Sequence, residues 1–159
     1  MKRRAIYPGS FDPFTRGHHA IVQRALAFMD EVIIAIGTNP VKNACFSPET
    51  RQAMIAELYA AEPRIRVTCY SGLTCDLGRQ LDARFIIRGV RSTSDFEYEQ
   101  QMAATNQRIS GIETILLFSD PKLSYISSSM VRELMQYDSD VSPFLPKGLD
   151  IKKWIKQKA

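Results

Sequence analysis

The chain has 159 residues, of which 45% are hydrophobic and 24% charged, with a formal net charge of +4. This balance is typical of one soluble domain, and the length is enough to bury a core without disulfides or metals. No apolar run approaches the length of a membrane span, and the basic start MKRR lacks a signal-peptide core after it. We therefore expect a cytoplasmic protein with a single domain over residues 1–159.

The cysteines and the charge distribution narrow the class further. Cys45, Cys69 and Cys75 form neither a CxxC pair nor a cysteine–histidine metal spacing, which favours reduced thiols. Four lysines cluster after position 151, while Lys and Arg elsewhere are mixed with acids. This pattern disfavours a nucleic-acid partner and favours anionic small molecules.

Five short apolar runs alternate with helical patterns along the chain. They predict strands over 5–7, 32–36, 65–69, 85–87 and 115–118. The second, fourth and fifth runs are continuous, which is typical of strands buried on both faces. Helices are predicted over 17–29, 48–61, 73–81 and 94–109. Ser47-Pro48-Glu49 is a good helix start, with a capping hydroxyl followed by proline.

This alternation of strands and helices predicts a Rossmann-like, doubly wound α/β domain with a five-stranded parallel sheet. After the fifth strand the sequence predicts a helix over 127–137, a break at 143–146 and a short basic segment around Trp154. We expect this last part to pack on the same domain or on a neighbouring subunit. In open sheets of this type, ligands bind beyond the carboxyl ends of the strands.

Polar residues cluster where each predicted strand ends. The clusters are 10–19, 39–43, 71–74, 88–91 and 119–129. Because the strands are parallel, these five clusters are expected to meet on one side of the sheet. Neither GxxxxGK[ST] nor GxGxxG occurs, so any phosphate site must be built differently.

The first cluster contains a turn and a helix start. Ser10 lies in the turn, and Thr15-Arg16-Gly17-His18 opens a helix whose free N–H groups and positive dipole end favour an anion. His18 is placed to donate a hydrogen bond to a phosphate there. The alternative is that His18 only caps the helix or packs. His19 points elsewhere on the helix and has no assigned role.

The fourth cluster carries two arginines three residues apart. Arg88 can contact a phosphate through two N–H groups, and Arg91 adds a second positive charge. The alternative is a surface arginine pair bonded to Asp95 or Glu97. Asp95 and Glu99 lie one helical turn apart, where they would hold a ribose hydroxyl or face solvent.

The fifth cluster ends in three serines at a helix start. Ser127, Ser128 and Ser129 either cap the helix or offer a second helix N-terminus to phosphates. In the loop after the second strand, Lys42 is either solvated or able to swing onto a phosphate as a point charge.

Together these stretches resemble the nucleotidyltransferase superfamily marked by (H/T)xGH and ISSxxxR motifs, which appear here as TRGH (15–18) and ISSSMVR (126–132). Within it, YPGSFDPFTRGH, the Lys42 loop, IIRGVRSTSDFEYE and YISSS are similar to the bacterial phosphopantetheine adenylyltransferases. The similarity spans positions 4 to 132 in the same order.

The resemblance implies an enzyme that transfers the adenylyl group of ATP to 4′-phosphopantetheine, giving dephospho-coenzyme A and pyrophosphate. This is the penultimate step of coenzyme A synthesis. It also implies Mg²⁺ bridging the ATP phosphates, although no carboxylate cage for the ion is evident. A homohexamer built as a dimer of trimers and feedback binding of coenzyme A are implied as well. Neither nucleic acid nor a membrane is expected as a partner.

The resemblance also assigns residues. His18 corresponds to the histidine that stabilises the transition state at the α-phosphate, and Ser10 to a residue that touches both substrates. The implied ATP-binding positions are Ser10, Phe11, His18, Gly89, Val90, Arg91, Glu99, Leu123, Ser124, Tyr125, Ile126, Ser127, Ser128 and Ser129. The implied phosphopantetheine-binding positions are Ser10, Lys42, Thr74 and Arg88.

The chain departs from the family pattern at three places. Ser10 replaces the usual threonine but keeps the hydroxyl, so we expect function to survive. Ala20 replaces the aspartate of GHxD and removes a charge, and Asn43-Ala44 alters the loop beside Lys42.

Two other functions are compatible with parts of the sequence. One is a related transferase that acts on nicotinamide mononucleotide or glycerol phosphate. The stretch RGVRSTSDFEYE argues against this function. The other is a non-catalytic nucleotide-binding or coenzyme A-sensing module, which the retention of His18 disfavours.

Overall fold

A five-stranded parallel sheet forms the centre of the computed structural model, which describes residues 2–38 and 44–156. The strands, each of which contains its predicted run, are β1 (Arg4–Gly9), β2 (Glu31–Gly37), β3 (Ile65–Tyr70), β4 (Phe85–Val90) and β5 (Glu113–Phe118). Their order is β3-β2-β1-β4-β5, and every pair is parallel. The predicted Rossmann-like α/β fold is confirmed.

Helices connect the strands and close the chain. They are α1 (Arg16–Ala25), α2 (Pro48–Leu58), α3 (Thr74–Gln80), α4 (Thr93–Ser110), α5 (Ser128–Gln136) and α6 (Ile151–Lys156), with a 3-10 turn at Ser142–Phe144. The predicted start of α2 is confirmed, because the Ser47 hydroxyl accepts a hydrogen bond from the Thr50 N–H at 3.1 Å. Within the described ranges, no helix has the length and apolar character needed to span a membrane.

Burial differs between the central and the edge strands. Residues 31–36 of β2 are all buried, as predicted from its continuous apolar run. The same prediction for 115–118 is wrong, because only Leu117 of this run is buried and the Phe118 side chain is 67% exposed. The reason is position in the sheet: β5 lies at an edge, with a neighbouring strand on one side alone.

The segment after α5 packs on the same domain. Leu145, Leu149 and Ile151 are buried and belong to the main hydrophobic core. The Lys153 ammonium lies 2.6 Å from the Glu57 carboxylate on α2. These contacts bear out the first of the two packing arrangements expected for this segment.

Candidate active site

Two neighbouring cavities open beyond the carboxyl ends of the strands. The first, which we call the α4 cavity, has a volume of about 550 Å³ and lies between the sheet, α3 and α4. The second, the α1–α5 cavity, has about 440 Å³ and lies beside the starts of α1 and α5. Both are lined by Pro8, Gly9, Arg88, Tyr98 and Glu99. Four of the five predicted polar clusters therefore meet here, and the fifth, 39–43 with Lys42, lies outside the described residues.

The two predicted sets of binding residues lie mainly in different cavities, although Arg88 and Glu99 line both and Ser10, which belongs to both sets, lines only the α4 cavity. Ser10, Thr74 and Arg88, assigned to phosphopantetheine, all line the α4 cavity. Most of the positions assigned to ATP line the α1–α5 cavity: Phe11, His18, Gly89, Arg91, Glu99, Leu123, Ile126, Ser127, Ser128 and Ser129. Val90, Ser124 and Tyr125 line neither cavity.

The backbone of Phe11 and the contact of its ring with Gly9 determine the turn after β1. Phe11 has a left-handed backbone with φ of 49°, so its ring folds back over Gly9. A Cβ at Gly9 would lie 2.7 Å from that ring, closer than any side chain tolerates, so glycine is required there. The ring is buried, and the turn leaves Ser10 exposed at the mouth of the α4 cavity.

His18 caps α1 with one ring nitrogen. The Thr15 backbone N–H donates to His18 Nδ1 at 3.0 Å, and the Thr15 hydroxyl accepts from the His18 backbone N–H at 3.4 Å. Because Nδ1 accepts a hydrogen bond, the proton of the neutral ring is on Nε2. The cap and the phosphate donor, which the sequence offers as alternatives, are therefore compatible: one nitrogen fixes the ring and the other remains a donor.

The surroundings of His18 keep its ring neutral. Burial first, and then the positive charges of Arg91 and Arg88, together lower the pKa of His18 to about 4. The rings of Phe11 and Phe14 lie 5.1 and 5.4 Å from the imidazole, centroid to centroid. At neutral pH His18 is thus an uncharged N–H donor beside two guanidinium groups.

Arg88 forms an ion pair with Glu99 at the junction of the two cavities. Its Nε lies 2.9 Å from both carboxylate oxygens, its Nη2 lies 2.6 Å from Oε1, and its Nη1 donates to the Pro8 carbonyl at 2.8 Å. Burial opposes the charge of Arg88, but the hydrogen bonds and charge of Glu99 outweigh burial and raise its pKa. The sequence alternative of Asp95 or Glu97 as its partner is wrong.

Arg91 has the partner that the sequence alternative named. Its Nε lies 3.4 Å from the Asp95 carboxylate, which also accepts the Arg91 backbone N–H at 3.1 Å. Both side chains are partly exposed, so the pair contributes little to stability. Glu97 is exposed on another side of α4.

The serines at the start of α5 combine the two alternatives given by the sequence, which were to cap the helix and to line a phosphate site. Ser127 caps the helix, because its hydroxyl accepts from the Met130 N–H at 3.1 Å. The Ser128 hydroxyl donates to the Pro13 carbonyl at 2.8 Å, and Ser129 accepts from Arg132 Nη2 at 3.3 Å. All three line the α1–α5 cavity, so the cap does not remove them from the site.

Two buried charged residues that the sequence analysis missed hold the Ser10 turn. The Asp12 carboxylate accepts the backbone N–H groups of Cys45 and Phe46 at 2.7 and 2.9 Å. Arg51, on α2, donates to the Ser10 carbonyl at 2.5 Å and to the Phe46 carbonyl at 3.0 Å. The only sequence signal was an aspartate between two aromatic residues inside the first motif.

His19 and Ala20 lie outside both cavities. His19 Nδ1 is 2.7 Å from the Tyr59 hydroxyl, and the two rings stack 5.7 Å apart. This agrees with the absence of an assigned role for His19.

The comparisons with known proteins identify the class of protein to which the chain belongs. Residues 6–134 match the family model described as cytidylyltransferase-like. A solved structure of a bifunctional NMN adenylyltransferase/ADP ribose pyrophosphatase from Francisella tularensis shares the fold, with a TM-score of 0.75 at 15% sequence identity. That match covers 99% of this chain and 49% of the other protein. The family model and the shared fold identify the chain as a Rossmann-like nucleotidyltransferase.

Curated relatives narrow the family. A phosphopantetheine adenylyltransferase from Bacteroides fragilis is 55% identical over 149 residues, covering 94% of this chain and 99% of that protein. The chain belongs to the phosphopantetheine adenylyltransferase family. Relatives with the same name from Porphyromonas gingivalis and Flavobacterium psychrophilum are 57% and 47% identical. These matches cover 92% and 94% of this chain, and 96% and 99% of the relatives.

Proposed function

We propose that this protein transfers the adenylyl group of ATP to 4′-phosphopantetheine, giving dephospho-coenzyme A and pyrophosphate. One observation carries the proposal: the two cavities meet at Arg88, so that two anionic substrates bound in them would have their phosphates side by side. The names of the relatives support the same pair of substrates. Use of ATP agrees with the cytoplasmic location expected from the sequence.

The reaction needs no nucleophile from the protein. A phosphate oxygen of phosphopantetheine, already ionised at neutral pH, attacks the α-phosphorus of ATP in line. The bond from the α-phosphorus to the bridging oxygen breaks, and that oxygen leaves with pyrophosphate. The residues therefore have to align two anions and stabilise the charge that moves onto the leaving group.

His18 is the donor that we assign to the transition state. Its ring is fixed through Nδ1, so the Nε2–H group is available to donate a hydrogen bond to an oxygen of the α-phosphate. A donor fixed in advance requires no reorganisation during the reaction, and such donors contribute about 10²–10³ in kcat. The negative charge of bound phosphates opposes the effect of Arg91 and Arg88 and would raise the pKa of His18.

We assign Arg88 to the phosphate of phosphopantetheine. Three of its contacts in the structure are to the Glu99 carboxylate, which has the same planar two-oxygen geometry as one face of a phosphate. A phosphate binding there would compete with Glu99 for the guanidinium. Glu99 would then be available to a neutral hydrogen-bond donor such as a ribose hydroxyl.

The carboxylates of the α1–α5 cavity fit an ion carried by the nucleotide better than one held by the protein. Asp95 and Glu99 are the acidic residues that line it, and Arg91 and Arg88 bind them. Within residues 2–38 and 44–156, no three His, Cys, Asp or Glu side chains form a metal-binding group. Mg²⁺ would supply charge neutralisation while held by the ATP phosphates and water.

We also propose that coenzyme A binds at this site as a feedback inhibitor, as the family resemblance implies. Coenzyme A contains both a pantetheine arm and an adenine nucleotide, so it would occupy the α4 cavity and the α1–α5 cavity at once. We expect it to compete with both substrates, which initial-rate measurements with each substrate varied in turn would test.

A homo-oligomer is supported by apolar side chains on α4 and β5. Phe96, Tyr98, Met102 and Ile109 on α4 are 39 to 59% exposed, and Phe118 on the edge strand is 67% exposed. Apolar surface of this kind is common at subunit interfaces. The family resemblance implies a hexamer, and light scattering would contradict it by giving the mass of a single chain.

The assay for the proposed function supplies ATP, Mg²⁺ and 4′-phosphopantetheine to the purified protein and measures pyrophosphate and dephospho-coenzyme A. Nicotinamide mononucleotide replaces phosphopantetheine in a parallel reaction. Turnover of phosphopantetheine alone supports the proposal. Turnover of nicotinamide mononucleotide without formation of dephospho-coenzyme A refutes it.

A further inference from the structure

Tyr70 forms a fixed wall of the α4 cavity. It is the last residue of β3, and its carbonyl accepts hydrogen bonds from the Thr38 backbone N–H and hydroxyl at 2.9 and 3.0 Å. Its ring lies over Gly37 at the end of β2, with ring atoms 3.8 Å from the point where a Cβ of Gly37 would be. Backbone and ring are thus both held at the carboxyl edge of the sheet.

The Tyr70 hydroxyl is bonded to Thr74, the first residue of α3. The two oxygens are 2.8 Å apart, and both residues line the α4 cavity. Leu73, which precedes the helix, provides no side-chain cap, and residues 71–73 are exposed. Among the described residues, this is the only side-chain hydrogen bond that residues 71–74 make. Tyr70 therefore ties the start of α3 to the sheet.

The position of this bond relative to the two cavities makes its effect selective. Neither Tyr70 nor Thr74 lines the α1–α5 cavity, where we place ATP. Arg88, the residue assigned to the acceptor phosphate, lines the same cavity as Tyr70 and Thr74. Loosening the start of α3 would change the shape of the acceptor's cavity and leave the nucleotide's cavity intact.

We infer that Tyr70 is a positioning residue for the acceptor substrate, acting through Thr74 to hold one wall of the α4 cavity against the pantetheine arm. This inference rests on the proposed function, because it assigns the α4 cavity to phosphopantetheine. It makes the hydroxyl of Tyr70, and not its ring alone, a determinant of acceptor affinity.

The test is a double-mutant cycle with Tyr70→Phe, Thr74→Val and the double variant. Each single variant should raise the KM for phosphopantetheine roughly three- to tenfold, the ratio expected for one hydrogen bond. The KM for ATP and the kcat at saturating substrates should stay within about twofold. The double variant should match the single variants, since the bond can be lost only once.

Two controls and a direct binding measurement separate positioning from general damage. Tyr137→Phe and Thr105→Val remove the same atoms at exposed positions that line neither cavity and should leave both KM values unchanged. Calorimetric titration with 4′-phosphopantetheine alone should give the same loss of affinity as the KM. Thermal melting of each variant shows whether a change in KM merely follows a loss of stability.

The outcomes distinguish this inference from the proposed function. A wild-type enzyme that makes dephospho-coenzyme A, with variants whose phosphopantetheine KM is unchanged or whose ATP KM rises equally, overturns the inference alone. Additive effects in the double variant overturn it too. A wild-type protein that makes no product overturns the proposed function and this inference with it.

Discussion

Separate substitutions at His18 can isolate the cap that the structure shows at Nδ1 from the transition-state role that we propose for Nε2. Asparagine places an amide oxygen near the position of Nδ1, where it can accept the Thr15 N–H, but it has no group at Nε2. Glutamine reaches the position of Nε2 with an amide N–H but loses the cap. Alanine removes both groups.

The expected magnitudes follow from general values for a helix cap and for a transition-state donor. Loss of a helix cap costs about 0.5–2 kcal/mol, which for a chain of this size lowers Tm by roughly 1–8 °C. Loss of a donor to the transition state costs about 10²–10³ in kcat. His18→Asn should therefore lose kcat with little change in Tm, and His18→Gln should lose Tm with a smaller fall in kcat. His18→Ala should lose both.

Pyrophosphate release at saturating ATP and phosphopantetheine gives kcat, and thermal melting gives Tm for the same preparations. The decisive comparison is between the two amide variants. If His18→Asn keeps kcat within tenfold of wild type, Nε2 is not the donor. If kcat falls in step with Tm across the three variants, His18 acts only as a cap.

Three further predictions concern charge. NMR titration should give His18 a pKa near 4, well below its ordinary value of 6.5. Because the unfolded chain then binds a proton at a higher pH than the folded chain, the free energy of unfolding should fall as the pH drops from about 6.5 to 4. His18→Asn should flatten this part of the stability curve, and an unchanged curve would contradict the low pKa. Arg51→Met should lower the free energy of unfolding, measured by denaturant melting, by about 1–3 kcal/mol, and it should also lower kcat in the pyrophosphate assay. Arg79→Met, at an exposed site, is the control and should change neither quantity. Glu99→Gln should free the Arg88 guanidinium and tighten binding of inorganic phosphate in calorimetry, while weaker binding would argue against their competition.

The fold could be predicted because its signals are local. Each apolar run contains its own evidence for a strand, and strict alternation with helices leaves a parallel sheet as the natural arrangement. What such a run does not contain is its place in the sheet. The runs at 32–36 and 115–118 have the same character, yet one forms a buried central strand and the other an edge strand with Phe118 exposed.

The site was predictable where its residues act through the backbone near them. TRGH predicts a helix start, and the start of α1 lies beside the α1–α5 cavity. Arg51 shows the opposite case, because its partners are backbone carbonyls that every sequence possesses. Nothing in its neighbours distinguishes it from a solvated arginine in the first turns of a helix.

The pairing of Arg88 depends on a geometry that spacing alone does not give. Asp95 and Glu99 lie one turn apart on α4, and either is close to Arg88 in sequence. The structure pairs Asp95 with Arg91 and Glu99 with Arg88, because α4 passes along the sheet with its later turn beside the end of β4. This arrangement places one carboxylate, and not two, against the guanidinium that both cavities share. Glu99 thus neutralises Arg88 in the structure. In the proposed reaction a substrate phosphate would replace this carboxylate, so neither an unpaired cation nor a second anion would be left between the two substrates.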